Sequence, residues 1–241
     1  MRRLYYDLHI HSCLSPCGDK DMTVNNIAGM GKLAGLDIMA LCDHNSTKNL
    51  PAFFKACENY KIIAVGGMEL TTAEEIHIVC LFPTLEKALD FGKEVENRRI
   101  LIKNKPEIFG EQLILDENDE VVGIEENLLI NATSLSLDEA YSLVQEYDGA
   151  VYPAHIDRDS NGIIAMLGLF PESPDFNTVE VYDKSKCNTL KQNFEILKNK
   201  RFVCCSDAHY LDKIPDKENY FEFDDNLDND QIRESIIRLL K

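Results

Sequence analysis

The sequence predicts one α/β domain, a barrel-like and mainly parallel sheet covered by helices, and three observations carry that expectation. Short apolar, β-favouring runs alternate with helix-patterned stretches along most of the chain, the pattern of strands joined by helical crossovers. The 241 residues, 44% of them hydrophobic, suffice for a substantial core within the size range of one α/β barrel. Several of the apolar runs also end in histidine, aspartate or glutamate, as expected where parallel barrel strands deliver side chains to a shared site at their carboxyl ends.

Strands are expected at residues 4–10, 38–42, 62–65, 76–82, 150–152, 179–182 and 202–205, each a short apolar run. Between them the spacing predicts helices over 23–34, stopped by Gly35, over 85–102, over 136–147 ahead of Gly149, and over 190–198. Ser136 and Glu139 have capping-box spacing, in which each side chain satisfies a backbone N–H left free at a helix start. A last amphipathic stretch, 231–240, should pack on the outside. The alternation breaks at 112–125, where Leu113-Ile114-Leu115 and Val121-Val122-Gly123-Ile124 flank an acidic turn and predict a small β-hairpin insertion. The acidic stretch 212–230 reads as a surface loop, and no repeat or low-complexity tract divides residues 1–241 into two domains.

Composition narrows the function. With 42 acidic against 25 basic residues the formal charge is −17; such a surface repels long polyanions, so long nucleic acid is disfavoured and a small anionic substrate preferred. Metal ions would reverse the sign locally at the site. No stretch is apolar enough to cross a bilayer, the first residues lack the apolar core of a secretion signal, and the eight cysteines read as reduced thiols. A cytoplasmic location is the expectation.

The six histidines are His9, His11, His44, His77, His155 and His209, and none falls in an expected outer helix. His9 and His11 alternate along a strand, so both can face one ion. By itself the pair fits an ordinary strand with two polar positions toward solvent better than a metal site. Other strand ends add Asp43-His44, Glu69, His155 and Asp207-Ala208-His209. Separate explanations exist, such as an N-cap for Asp43 or a satisfied core imidazole for His77. Convergence at one barrel end accounts for all of them together.

Four separated motifs, Asp7-Leu8-His9-Ile10-His11-Ser12, Cys42-Asp43-His44-Asn45, Pro153-Ala154-His155 and Ser206-Asp207-Ala208-His209, with Glu69 and His77 between them, resemble the PHP (polymerase and histidinol phosphatase) superfamily over nearly the whole length. The resemblance implies a distorted (β/α)7 TIM-like barrel and a phosphoesterase using two or three divalent ions, zinc, manganese or iron. It places His9, His11, Glu69 and Asp207 on one ion, has Glu69 bridge to a second held by His77 and His155, and gives a third to His44 and His209. The remaining ligand position of the third ion is Cys17 here, where relatives carry histidine or aspartate; a thiolate favours zinc or iron. Asp7 and Asp43 read as partners that orient imidazoles.

The chemistry implied is attack on phosphorus by a metal-activated hydroxide, with Asp207 or His209 moving the proton. Arg158, three residues after His155, is the expected phosphate clamp unless it pairs with Asp157 or Asp159, and Lys184 and Lys186 are weaker candidates. The substrate or ligand would be a small phosphorylated molecule or inorganic phosphate. Two other readings compete. An amidohydrolase also begins with His-x-His but usually needs a bridging carboxylated lysine, and no lysine ends a central strand. A catalytically inactive metal-binding module would typically have lost ligands, whereas only Cys17 departs from the pattern. No P-loop, His-Glu-x-x-His or Gly-x-Ser-x-Gly motif offers a different chemistry.

Overall fold

A computed structural model describes residues 1–241. In chain order it holds β1 (Arg2–Ile10), α1 (Val24–Ala34), β2 (Ile38–Leu41), α2 (Leu50–Tyr60), β3 (Ile63–Thr71), β4 (His77–Phe82) and α3 (Leu85–Glu96). Next come α4 (Pro106–Phe109), the hairpin β5 (Leu113–Leu115) and β6 (Val121–Ile124), α5 (Leu137–Glu146), β7 (Ala150–Pro153) and α6 (Ile163–Leu167). The last elements are β8 (Thr178–Val181), α7 (Cys187–Asn193), β9 (Arg201–Cys204), β10 (Tyr220–Phe223) and α8 (Asn229–Leu240).

β1, β2 and β3 pair in parallel, as do β8 and β9, while β4 lies antiparallel between β3 and β7. Two backbone hydrogen bonds curl these strands into a ring. Ile156 N–H donates to Glu180 O at 2.9 Å, joining the end of β7 to β8, and His11 N–H donates to Ala208 O at 3.0 Å, joining the end of β1 to the segment after β9. The result is the distorted seven-stranded barrel expected, formed by β1, β2, β3, β4, β7, β8 and β9. Only β4 runs against the rest, because the short turn 72–76 permits a hairpin and leaves no room for a helical crossover. That reversal brings the start of β4, His77, to the end where its neighbours finish.

A register shift in β1 has a larger consequence. Tyr6 and Asp7 pair with Ile38 and Met39, but Ile10 pairs with Leu41, so β1 carries an extra residue between Asp7 and Ile10. Strict alternation would put Leu4, Tyr6 and Leu8 on one face and His9 and His11 on the other. Leu4, Tyr6 and Leu8 belong to the inner cluster with Ala40, Val65 and Leu81, whereas Ile10 packs in the outer cluster with the helices. The bulge therefore lets both the apolar residues and the two imidazoles face the barrel axis.

Helix ends follow their local chemistry. The Thr23 side chain accepts from Asn26 N–H at the start of α1, and Gly35 closes it at φ 80°, a left-handed conformation that glycine adopts without a Cβ clash. The Ser136–Glu139 capping box forms as expected. α3 is shorter than the expected 85–102: after Glu96 the chain extends and pairs Arg99 with Thr133 and Lys103 with Asn127. α7 likewise covers only part of 190–198, the rest being a 3-10 turn at Glu195–Asn199. The expected loop 212–230 contains β10, whose alternating Tyr-Phe-Glu-Phe pattern buries two phenylalanines and pairs with β1. α8 does more than cover the outside, because Ile232, Ile236, Ile237 and Leu240 join the inner cluster at the end of the barrel away from the histidines. The hairpin insertion at β5 and β6 is present.

Gly67 marks how tightly the barrel is filled. A Cβ there would lie 2.5 Å from Cys42 Sγ, 2.9 Å from Leu41 O and 3.0 Å from Leu81 Cδ2, and the carbonyl belongs to the adjoining strand and cannot swing aside. Gly67→Ala should cost about 1–3 kcal/mol. A chemical-denaturation midpoint that falls at unchanged slope checks this; an unchanged midpoint contradicts it.

Candidate metal centre

All six histidines converge at one barrel end around Glu69. Position 69 lies on the inward face of β3, and its carboxylate is 1% exposed. Oε1 lies 2.9 Å from His77 Nδ1, 3.1 Å from His155 Nε2 and 3.5 Å from His9 Nε2; Oε2 lies 3.1 Å from His44 Nδ1 and 3.2 Å from His11 Nε2. Asp207 Oδ1 stands 3.0 Å from His11 Nε2 and 3.4 Å from His9 Nε2. His209 stacks on the His11 ring with centroids 4.2 Å apart. Three sets of ligand atoms fall within 4.8 Å of one another: His9, His11, Glu69 and Asp207; His44, Glu69 and His77; His11, His44 and His209.

The turns that deliver these side chains bend through positive φ, at Asn45 (47°), His155 (28°) and Asp207 (49°). Non-glycine residues seldom adopt that region, and local hydrogen bonds hold it here. Asn45 N–H donates to Glu69 O, and its side-chain amide donates to Leu129 O and Asn131 O. His155 N–H donates to Glu180 Oε1 at 3.1 Å.

Glu180 is the functional residue that motif reading misses. Buried on β8, its carboxylate lies 3.0 and 3.1 Å from His9 Nδ1, which fixes that imidazole and leaves Nε2 toward the centre. A signal was present: one acid flanked by Val179 and Val181, whose side chains join the outer cluster, must face the barrel axis. Asp43 acts one step removed, accepting from the Ser12 and Ser15 hydroxyls, while Ser15 Oγ lies 2.9 Å from His11 Nδ1. Asp7 is satisfied by Ser206 and by the His9 N–H, and burial still pushes its carboxyl up to about 6.

Arg158 pairs through Nη1 with Asp207 Oδ2, not with Asp157 or Asp159, and its guanidinium stacks 4.3 Å over the Tyr182 ring. It thus stands at the rim of the centre, one-third exposed. Lys186 reaches Asp157 and Lys184 reaches Glu218, so neither enters the site. Cys17 joins none of the three ligand sets. As a residue it is exposed, yet its sulfur is crowded on the inner side, where burial first and then the charges of Glu69 and Asp207 push the thiol up.

The donor set fits divalent cations. His44 Nδ1 and Asp207 Oδ1 are buried without a hydrogen-bond partner, and His9 Nε2 faces His11 Nε2 at 3.1 Å. Nitrogen and carboxylate lone pairs aimed at a common space suit zinc, manganese or iron. The protons present without ions follow from the same contacts. Burial lowers His9 and His11, but neighbouring carboxylates outweigh it, raising His9 well above its ordinary value and His11 to about 9. Burial wins at His44, held well below the usual range, and at His209, held down to about 4. Burial raises Glu69 and Asp207, yet the imidazoles prevail and keep both below the carboxylate range.

At pH 7 the ion-free centre therefore carries at least the His11 proton, which a cation taking Nε2 must expel. Calorimetric titration with zinc or manganese in buffers of different ionisation enthalpy should report release of at least about one proton per chain, and affinity should rise with pH toward 9. Buffer-independent heats would contradict the protonation assignment.

The sequence profile of the PHP domain matches residues 7–204. Among solved structures, the lesion-specific endonuclease Q of Pyrococcus furiosus superposes with TM-score 0.66 at 19% identity, covering 99% of this chain and 56% of that one. Endonuclease Q in complex with a 27-mer duplex containing an abasic lesion gives TM-score 0.61 at 19% identity, covering 98% and 56%. A protein assigned as a metal-dependent phosphoesterase from Bifidobacterium adolescentis gives TM-score 0.60 at 18% identity, covering 98% and 96%. This chain thus spans about half the length of the endonuclease Q chains. A search of curated protein sequences found no match. With the profile covering most of the chain, the chain belongs to the PHP domain family, whose phosphoesterases are metal-dependent.

Proposed function

We propose that this protein hydrolyses a small phosphorylated substrate at a centre holding two or three divalent ions. The observation that carries the reading is the Glu69 carboxylate, whose two oxygens divide five imidazoles between them. His9, His11, Glu69 and Asp207 would hold one ion, and Glu69, His77 and His155 a second. His44 and His209 would hold a third, with Cys17 as its remaining protein ligand. Divalent ions bound there supply Lewis acidity: they offset phosphate charge, make hydroxide available near neutral pH and stabilise the departing oxygen.

The chain's own groups do the rest. Arg158, steered by Asp207 and stacked on Tyr182, keeps guanidinium N–H groups toward the mouth, where they can grip phosphate oxygens. His209 Nδ1 lies 2.8 Å from its neighbour's carbonyl, Asp207 O, so it carries the proton and Nε2 is free to bind or to accept. Asp207, at the edge of the same cluster, is the other candidate to take a proton from the attacking water. Glu69 and Asp207 pair with histidines and Arg158 and with no lysine, which argues against amidohydrolase chemistry built on a carboxylated lysine.

Substrate size rests on charge rather than fold. An endonuclease Q structure holds a 27-mer duplex, so this barrel type can accept nucleic acid when its surroundings attract it. A net charge of −17 opposes that here and favours a compact phosphate. A cytoplasmic setting accords with small phosphorylated metabolites and reduced cysteines.

Chelation should abolish phosphatase activity on a panel of phosphorylated metabolites, and manganese, zinc or iron should restore it. Glu69→Gln should lower activity at least about a hundredfold with loss of bound metal; full activity in metal-free protein contradicts the reading. For Cys17, Cys17→Ser should remove about one ion per chain while two remain. Unchanged metal content and kcat/KM would take Cys17 out of the site.

A further inference from the structure

Two turns at the mouth, 155–158 after β7 and 182–186 after β8, each supply half of the Arg158–Tyr182 stack, and one buried carboxylate outside the metal centre joins them. Asp157 stands between His155 and Arg158 with its side chain 1% exposed, although Asp159 and Ser160, next along the chain, are exposed. Its Oδ1 accepts from Tyr182 N–H at 2.8 Å and its Oδ2 from Asp183 N–H at 3.0 Å. Lys186 Nζ lies 3.5 Å from Oδ2 and donates to Asp157 O at 3.1 Å. A carboxylate taken out of water is costly without such partners, and all of these come from 25 or more residues further along the chain. The turn itself does not need the side chain, because Arg158 N–H donates to His155 O at 2.9 Å and closes it through the backbone.

What Asp157 fixes is the segment that leaves β8. The β8–β9 ladder ends at the pair Val181 and Cys204, and the next two N–H groups of the chain turn to Asp157 instead. The Tyr182 side chain is half-exposed, so packing alone does not hold the ring; its backbone does. The Arg158 guanidinium carbon lies 4.3 Å over the centre of that ring. Stacking engages the face of the guanidinium and leaves its N–H groups free in the plane. Asp207 takes Nη1, but a single contact lets the group swing about it, unlike a two-point pair. The remaining N–H groups keep their direction only while the ring beneath them keeps its place.

We propose that Asp157 is a positioning residue for the phosphate clamp: by holding the backbone of Tyr182 it sets the ring on which Arg158 stacks, and with it the angle at which the guanidinium meets phosphate. This role rests on the reading of Arg158 as the clamp, and both can be tested separately.

Calorimetric titration of the manganese-loaded protein with inorganic phosphate tests it without a known substrate. Asp157→Ala and Tyr182→Leu should each weaken phosphate binding about tenfold, the order expected when a supporting partner is lost, with bound manganese per chain unchanged. Tyr182→Phe, which keeps the ring, should bind phosphate as the wild type does. Asp157→Ala added to Arg158→Ala should weaken binding no further than Arg158→Ala alone, because nothing is left to position. Where Asp157→Ala does not fold, Asp157→Asn replaces it: the amide keeps the shape but turns a donor toward one of the two N–H groups, and the same loss is expected. An Asp157 variant that melts lower yet binds phosphate like the wild type overturns the proposal. So do additive losses in the double variant, or a Tyr182→Phe as weak as Tyr182→Leu. If the wild type does not bind phosphate, or Arg158→Ala leaves binding unchanged, the clamp reading fails and this role with it.

Discussion

The structure depends on one buried carboxylate. Glu69 is 1% exposed and would be costly in that position without compensation. Five imidazoles supply it, drawn from β1, the loop after β2, β4 and the turn after β7. No single segment could gather them. The closed barrel, the reversed β4 and the positive-φ turns at Asn45, His155 and Asp207 are the means by which strands distant in sequence meet at one oxygen pair.

Two further features hold that arrangement in register. The extra residue in β1 turns His9 and His11 inward without exposing Leu4, Tyr6 and Leu8. Glu180 ties two parts of the centre together with one carboxylate, meeting His9 through its ring and His155 through its backbone N–H. A group that fixes both a ring and a turn limits how far either can move when cations enter or leave.

Much of this was legible in the sequence because metal-ligand residue types at strand ends are informative jointly. His9, His11, His44, Glu69, His77, His155, Asp207 and His209 all reach the centre. Other features were hidden for physical reasons. The bulge leaves no mark when apolar and imidazole residues both alternate properly on either side of it. Glu180 belongs to no motif, and only its place between two outward-facing valines betrays it. α2 begins Leu50-Pro51, and proline reads as a break although it suits a first helical turn, while its cap residue Asn49 is engaged elsewhere, with Ser12, Leu113 and Leu115. β10 lies within an acidic stretch whose composition masks a four-residue alternation. Arg158 stands at the rim, and its partner Asp207 lies 49 residues away and could not be read locally.

The central claim is that Glu69 bridges two cations, and anomalous diffraction from crystals grown with manganese or zinc tests it most directly. The account predicts one ion contacted by His9, His11, Glu69 and Asp207, and a second contacted by Glu69, His77 and His155, each within about 2.0–2.2 Å of its nitrogen and oxygen ligands for zinc. Ions bound away from Glu69, or a single ion with His77 and His155 left free, would contradict it.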